Sequence, residues 1–222
     1  MFNINDIKVV LFDMDGVLYN SMPNHAVAWV NAMKTFGIDM TELDAYLTEG
    51  QRGIDTIRQM VTQQKGEDIS EATAQAMYDE KARLFHLMPI APVFDGVTDL
   101  MGKLKSRGIT IGIVTGSGQR PLIDRLAADF GQYVEPQHII TAYDVKRGKP
   151  APDPYLMGLE RTGGFLPSQA MVVENAPMGI RAGVAAGCFT VAVNSGPLPD
   201  QTLLDEGAHL LVHSIRQLSD MI

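Results

Sequence analysis

Two aspartates carry the first chemistry in this sequence. Asp13 and Asp15, in DMDG, stand two positions apart directly after a β-rich apolar run, IKVVLF at 7–12. In extended backbone such residues point the same way. Paired carboxylates invite a divalent cation or a shared proton. Gly16 permits the sharp chain exit that such a site needs. Asp and Gly also favour plain turns, so the motif alone leaves a turn as the alternative.

Three more segments offer complementary groups. Thr115-Gly116-Ser117-Gly118 follows a second apolar run and opens a helix. Backbone N–H groups at a helix start attract anions, and the hydroxyls add donors, so the loop suits phosphate. A dinucleotide fingerprint is the weaker reading, because Pro121 occupies the third glycine position. An ordinary capped turn is the other. Lys149 stands in a proline-rich loop, KPAPD, where it can neutralise phosphate and a charged aspartate. Most lysines are instead solvated surface charges. Glu174-Asn175 ends AMVVEN before a helix near Pro177. Its acid and amide oxygens can complete an oxygen-rich magnesium site, or Asn175 can simply cap the helix.

The elements that must position these groups read as an α/β fold. Strands are predicted at 7–12, 109–115, 138–141, 171–174, 189–193 and 210–212. Helices are predicted at 119–130, 153–163, 177–186 and the C-terminus. Asp153 as N-cap with Pro154 at the first helical position marks one start. Between 21 and 88 the apolar residues recur at helical spacing (Ala26, Trp29, Val30, Met33; Ile54, Ile57, Met60, Val61), punctuated by Gly37, Gly50, Gly66 and Ser70 into roughly four helices. The pattern is a Rossmann-like doubly wound, mostly parallel sheet with an all-helical insertion. The core spans 1–19 and 90–222, and the insert spans 20–89. In open sheets of this kind ligands bind at the carboxyl ends of the strands, which is where all four segments fall.

Composition sets limits. The 222 residues carry 18 Lys and Arg against 26 Asp and Glu, a net charge of −8. That balance excludes nucleic acid and anionic membrane surfaces as main partners. One cysteine, Cys188, allows no intramolecular disulfide and no cysteine metal cluster, and reads as a packing residue. The N-terminus shows no signal-peptide pattern and no apolar run is long enough to span a membrane, so a cytoplasmic protein is expected. The 13 methionines read as adaptable core filler.

In order and placement these motifs resemble the haloacid dehalogenase superfamily, over nearly all of residues 7–193. The combination of DxDGVL, the strand-end threonine, the GKPAPD loop and the acidic strand end before a helix carries the resemblance. It implies that Asp13 attacks phosphorus and becomes phosphorylated. Asp15 then serves as acid and base, while its backbone carbonyl joins Asp13, Glu174 and Asn175 around Mg2+. Thr115, Gly116, Ser117 and Lys149 would hold phosphate. The last acidic position is usually Asp, so Asn175 removes one charge.

The insert resembles the helical cap of the β-phosphoglucomutase-like branch. His25 and Trp29 match its His-x-x-x-Trp, which implies that His25 helps position Asp15. A packed or surface histidine is the plain alternative, and Trp29 could equally be core. Arg52, in GQRG, is a candidate for the distal phosphate or sugar, although the mutase's arginine position falls on Gly53. Lys81 is another candidate cation of the cap, with a solvated helix charge as the expected reading. The resulting expectation is a magnesium-dependent phosphatase acting on a small phosphorylated metabolite such as a sugar phosphate. A β-phosphoglucomutase is the alternative, and a non-catalytic binding protein on the same fold is a third reading. A monomer is expected, with a dimer as the alternative.

Overall fold

A computed structural model describes residues 4–222. Six parallel strands form one sheet: β1 (Val9–Phe12), β2 (Thr110–Val114), β3 (Ile139–Ile140), β4 (Ala170–Glu174), β5 (Phe189–Val193) and β6 (Leu210–Val212). Their order is β3-β2-β1-β4-β5-β6. The chain runs outward from β1 in one direction and from β4 in the other. The switch point therefore lies between β1 and β4, the crevice in which such sheets bind ligands.

Both faces of the sheet are covered, which explains why its strands are apolar throughout rather than alternating. On one face Val10, Phe12, Ile113 and Val173 pack against α5 (Val97–Ser106), α6 (Arg120–Phe130) and α10 (Ile215–Met221). On the other, Val9, Leu11 and Val172 meet α7 (Asp153–Arg161) and α8 (Pro177–Ala185). A short α9 (Asp200–Leu204) precedes β6.

Four helices occupy the insert: α1 (Met22–Thr35), α2 (Glu42–Leu47), α3 (Gly53–Lys65) and α4 (Glu71–His86). Their buried residues, from Ala26 and Trp29 to Ala74 and Met77, form a cluster distinct from those of the sheet. Ser70 caps α4 by accepting from the Thr73 N–H at 3.1 Å. The two chain crossings into and out of the insert run side by side. Asn20 N–H donates to Pro92 O at 2.9 Å, and Phe94 N–H to Leu18 O at 2.9 Å.

Two readings of the sequence need correction, and one helix lies where none is predicted: residues 97–106 form α5. The apolar spacing of Val97, Leu100, Met101 and Leu104 is that of a buried helix face. Asp153 is not an N-cap. The helix begins at Asp153 with Pro152 in the cap position, and the Asp153 carboxylate pairs with Arg147 at 2.9 and 3.0 Å. The third strand is shorter than predicted, two residues at the sheet edge.

Candidate active site

Asp13 follows β1, and its N–H donates to Val173 O of β4 at 3.0 Å. Its side chain is 2 % exposed. Lys149 comes in from the loop before α7 and is equally buried. The ammonium donates to Asp13 Oδ1 at 2.5 Å, to Glu174 Oε1 at 2.6 Å and to Val114 O at 3.0 Å. One cation therefore ties together the ends of β1, β2 and β4. Tyr155 of α7 adds a hydroxyl donor to Glu174 Oε1 at 2.5 Å. Burial, and then the nearby Glu174 charge, push the Asp13 carboxyl well above the usual carboxylate range against the opposing pull of Lys149. Burial alone would lower Lys149, but the two carboxylates outweigh it and hold it above the ordinary lysine value.

Asp15 sits in a different setting. Sequence spacing predicts that it faces the same way as Asp13, yet its partners come from the insert. Ser21 donates its hydroxyl to Asp15 Oδ1 at 2.5 Å, and His25 Nε2 lies 3.1 Å from the same oxygen. Behind His25, Lys81 Nζ is 2.6 Å from Nδ1. A lysine ammonium can only donate, so Nδ1 accepts and Nε2 carries the hydrogen that points at Asp15. The ring of His25 stacks on Phe85 at 4.0 Å, and Lys81 lies 4.9 Å from the centre of the Trp29 ring. Burial works to raise the Asp15 carboxyl, but His25 and Ser21 prevail and hold it below its ordinary value.

Lys81 is thus not a solvated helix charge. It is 2 % exposed, and burial lowers its pKa to about 8. His25 is neither a surface nor a merely packed histidine. Trp29 is core, and it also forms one wall of the Lys81 site.

Thr115, Gly116 and Ser117 link β2 to α6. Ser117 N–H donates to Thr115 Oγ1 at 3.0 Å, and Gln119 N–H to Ser117 Oγ at 3.2 Å, so hydroxyls close the turn while the helix start at Gln119 has no side-chain cap. Residues 50 and 51 of the insert press onto it. A Cβ at Gly116 would come within 2.6 Å of Gly50 O and 2.9 Å of Gln51 O. The insert is closed over the strand ends. A cavity of about 30 Å³ remains, lined by Asp15, His25, Glu49, Gly116, Ser117 and Gln119 among others. That is far below the size of a small-molecule pocket. A larger cavity, about 410 Å³, lies on the other side of Asp15 against Phe85, Ile90 and Leu122.

Arg52 does not reach into the small cavity. Its guanidinium is held by both oxygens of Asp55, at 2.7 and 2.9 Å, and its stem lies against Gly148.

The oxygen donors suit magnesium. Asn175 is 8 % exposed and its Oδ1 has no hydrogen-bond partner. A buried amide oxygen left without a donor is a group waiting for a cation or a water. Gly16 allows this placement: with φ at +82° it carries no side chain, and a Cβ there would lie 2.0 Å from Asn175 Nδ2. Glu174 is turned elsewhere, with Oε1 on Lys149 and Tyr155 and Oε2 accepting from Asn175 N–H at 3.2 Å. Among the described residues no three His, Cys, Asp or Glu side chains gather as a metal cluster. The candidate donors are instead carboxylate, amide and main-chain oxygens.

Sequence reading missed Ser21, Glu49, Gln119 and Tyr155. Tyr155 and Ser21 carried no motif signal. Lys81 did: Ala74, Met77, Lys81 and Phe85 fall on one buried helical stripe, which a solvated lysine would not share.

A family model described as haloacid dehalogenase-like hydrolase matches residues 7–187. Hexitol phosphatase A of Escherichia coli (strain K12) is 34% identical over 96% of this chain and 93% of its own. Validoxylamine A 7'-phosphate phosphatase of Streptomyces hygroscopicus subsp. limoneus is 32% identical over 85% of this chain and 86% of its own. A solved Bacteroides vulgatus structure, described provisionally as a β-phosphoglucomutase, superposes with a TM-score of 0.92 at 47% identity, covering 97% of this chain and 87% of that one. Among the described residues no helix is long and apolar enough to cross a membrane.

Proposed function

We propose a phosphatase, on the premise that the chain belongs to the haloacid dehalogenase-like hydrolases. It removes phosphate from a small polyhydroxylated metabolite, a hexitol or sugar phosphate, through a phosphorylated Asp13. The observation that carries this reading is the unlike setting of the two carboxylates. Asp13 is paired with a cation at the strand ends, as a nucleophile meeting phosphate requires. Asp15 is oriented by Ser21 and His25, as a proton carrier requires.

In the first half-reaction the Asp13 oxygen not held by Lys149 bonds to phosphorus. The ester P–O bond breaks, and Asp15 gives a proton to the leaving oxygen. In the second half-reaction Asp15 takes a proton from water, which attacks phosphorus. The bond to Asp13 breaks and inorganic phosphate leaves. The hydrogen bonds that favour ionised Asp15 suit this second step, and the proton it takes from water is the one it gives to the next leaving oxygen. Lys149 offsets the charge of Asp13 and of the incoming phosphate. Asp13, the Asp15 main-chain carbonyl and Asn175 Oδ1 would hold Mg2+, which, when bound, reduces repulsion between the two anions. Closure of the insert, residues 20–89, would exclude bulk water and bring His25 onto Asp15.

A mutase needs a cation to hold a second phosphate. Arg52, the sequence candidate for that role, is engaged with Asp55, which favours hydrolysis. The test is release of inorganic phosphate from sorbitol 6-phosphate and glucose 6-phosphate with Mg2+. Release that disappears in Asp13→Asn supports the reading. Conversion of β-glucose 1-phosphate to glucose 6-phosphate without free phosphate would replace it with the mutase.

A further inference from the structure

The turn that follows Asp15 is held from the end of β5, a strand that contributes no group to the chemistry. The half-buried Ser195, two residues past that strand, donates its hydroxyl to Gly16 O at 2.6 Å. Gly16 is held on its other side as well, where its N–H donates to Tyr19 O at 2.8 Å. A peptide group is planar and trans, so this second bond also sets the direction of the Asp15 carbonyl, which points opposite to the Gly16 N–H. Between the two fixed peptide groups lies only the Gly16 Cα, where a chain without a Cβ is freest to turn. The bond from Ser195 removes that freedom. The Asn175 amide rests on the same carbon, since a Cβ there would stand 2.0 Å from Nδ2. Two oxygens suited to magnesium, the Asp15 main-chain carbonyl and Asn175 Oδ1, therefore adjoin the residue that Ser195 holds.

The loop that carries Ser195, residues 194–199 between β5 and α9, is closed on itself. Asn194 Nδ2 donates to Leu198 O at 2.8 Å and to Asp200 Oδ1 at 2.6 Å. The insert rests on this same loop. A Cβ at Gly196 would lie 2.9 Å from Cε1 of Tyr46 in α2, and Tyr46 and Leu47 pack against the buried Ile180, Ala192, Leu198 and Leu203. One residue of the loop thus meets the insert, and its neighbour meets the Asp15 turn. We infer that Ser195 is a positioning residue, which holds the Asp15–Gly16 turn in the shape that offers its oxygens to magnesium and ties that turn to the loop on which the insert seats. The inference rests on the magnesium-dependent phosphatase reading. The Ser195 hydroxyl is spent on Gly16, so it acts through the turn rather than on substrate. Without it the Gly16 peptide regains its freedom, and ordering the turn becomes part of the cost of binding the ion. The Tyr46 ring braces Gly196, and a loosened loop reaches the turn only through Ser195.

The experiment measures magnesium binding to the full chain by calorimetry, with no substrate present. Ser195→Ala should weaken Kd about fivefold, the size expected for one lost hydrogen bond. Ser195→Thr keeps the hydroxyl and should stay within about twofold of wild type. Tyr46→Ala should weaken binding about threefold while Ser195 is present and have no effect in Ser195→Ala, where the path is already cut. A role in packing alone would lower the melting temperature of Ser195→Ala and leave its magnesium Kd in place. The inference is overturned if Ser195→Ala binds magnesium as tightly as wild type, or if Ser195→Thr binds no better than Ser195→Ala. It is also overturned if Tyr46→Ala acts equally in both backgrounds, or if wild type binds no magnesium. The phosphatase reading is judged separately, by phosphate release from the wild-type enzyme. Release together with an unmoved Kd in Ser195→Ala removes the role of Ser195 and leaves that reading standing.

Discussion

Lys81 of α4 donates to Nδ1 of His25 on α1 at 2.6 Å, with both residues shielded from solvent. The contact fixes which ring nitrogen faces Asp15, and it holds a cation where burial opposes charge. The folded pKa of about 8 lies below the ordinary lysine value of 10.5. Below pH 8 both folded and unfolded chains carry the proton, and the fold bears the cost of a buried charge. Between those values the unfolded chain binds more protons, so stability rises with pH. Urea unfolding of wild type and Lys81→Met at pH 7.5 and 10 should show wild type gaining on the variant by about 2 kcal/mol. A difference that stays flat, or falls, would mean that Lys81 is not held as described.

Lys149 is a second buried cation with the opposite logic. Removing it leaves Asp13 and Glu174 facing each other without a counter-charge. Lys149→Met should abolish phosphate release and lower stability by ~3 kcal/mol at pH 8. A raised carboxyl contributes stability that is present at low pH and lost as pH climbs through its folded value. The deficit should therefore shrink as pH falls toward 5, when one carboxyl takes a proton. Equal deficits at both pH values would count against the pairing.

Asn175 tests the metal assignment. Its buried Oδ1 accepts no hydrogen bond, and Asn175→Asp keeps the shape while adding a negative charge. Magnesium should bind about tenfold more tightly by calorimetry, a change of about 1.4 kcal/mol. Unchanged affinity would place the ion elsewhere.

Gly116 tests closure. A methyl group there meets the Gly50 carbonyl at 2.6 Å, a backbone atom that cannot rotate away. Gly116→Ala should hold the insert away from the phosphate loop, lowering kcat/KM about tenfold with little change in melting temperature. Full activity in this variant would show that the insert need not seat on Gly116 during turnover.

Much of this was open to reading in one dimension. The strands declared themselves because a sheet buried on both faces needs unbroken apolar runs, as in VVLF and AMVVE. Their ends marked Asp13, Thr115 and Glu174 for the same reason. What stayed hidden depends on helix packing. Asp13 and Asp15 look like twins in sequence and separate only when α1 brings Ser21 and His25 to one of them. Arg52 reads as a substrate ligand until its neighbour Asp55, one helical turn away, takes the Nε and Nη2 edge of its guanidinium. Lys81 reads as surface until the stripe through Met77 and Phe85 is seen to face inward. Glu49 and Gln119 belong to no motif, and they line one cavity only because two distant loops close on each other.

The insert leaves the sheet after β1 and returns before α5, through two crossings bonded to each other, and it packs its own apolar interior. The strand register around Asp13, Lys149 and Glu174 is set without it. The molecule is consequently modular in heritable terms. Mutations in the 48–53 loop leave Asp13, Lys149 and Glu174 in place, whereas a foreign insert grafted at the same two crossings would have to bring its own partners for Asp15 in place of Ser21 and His25.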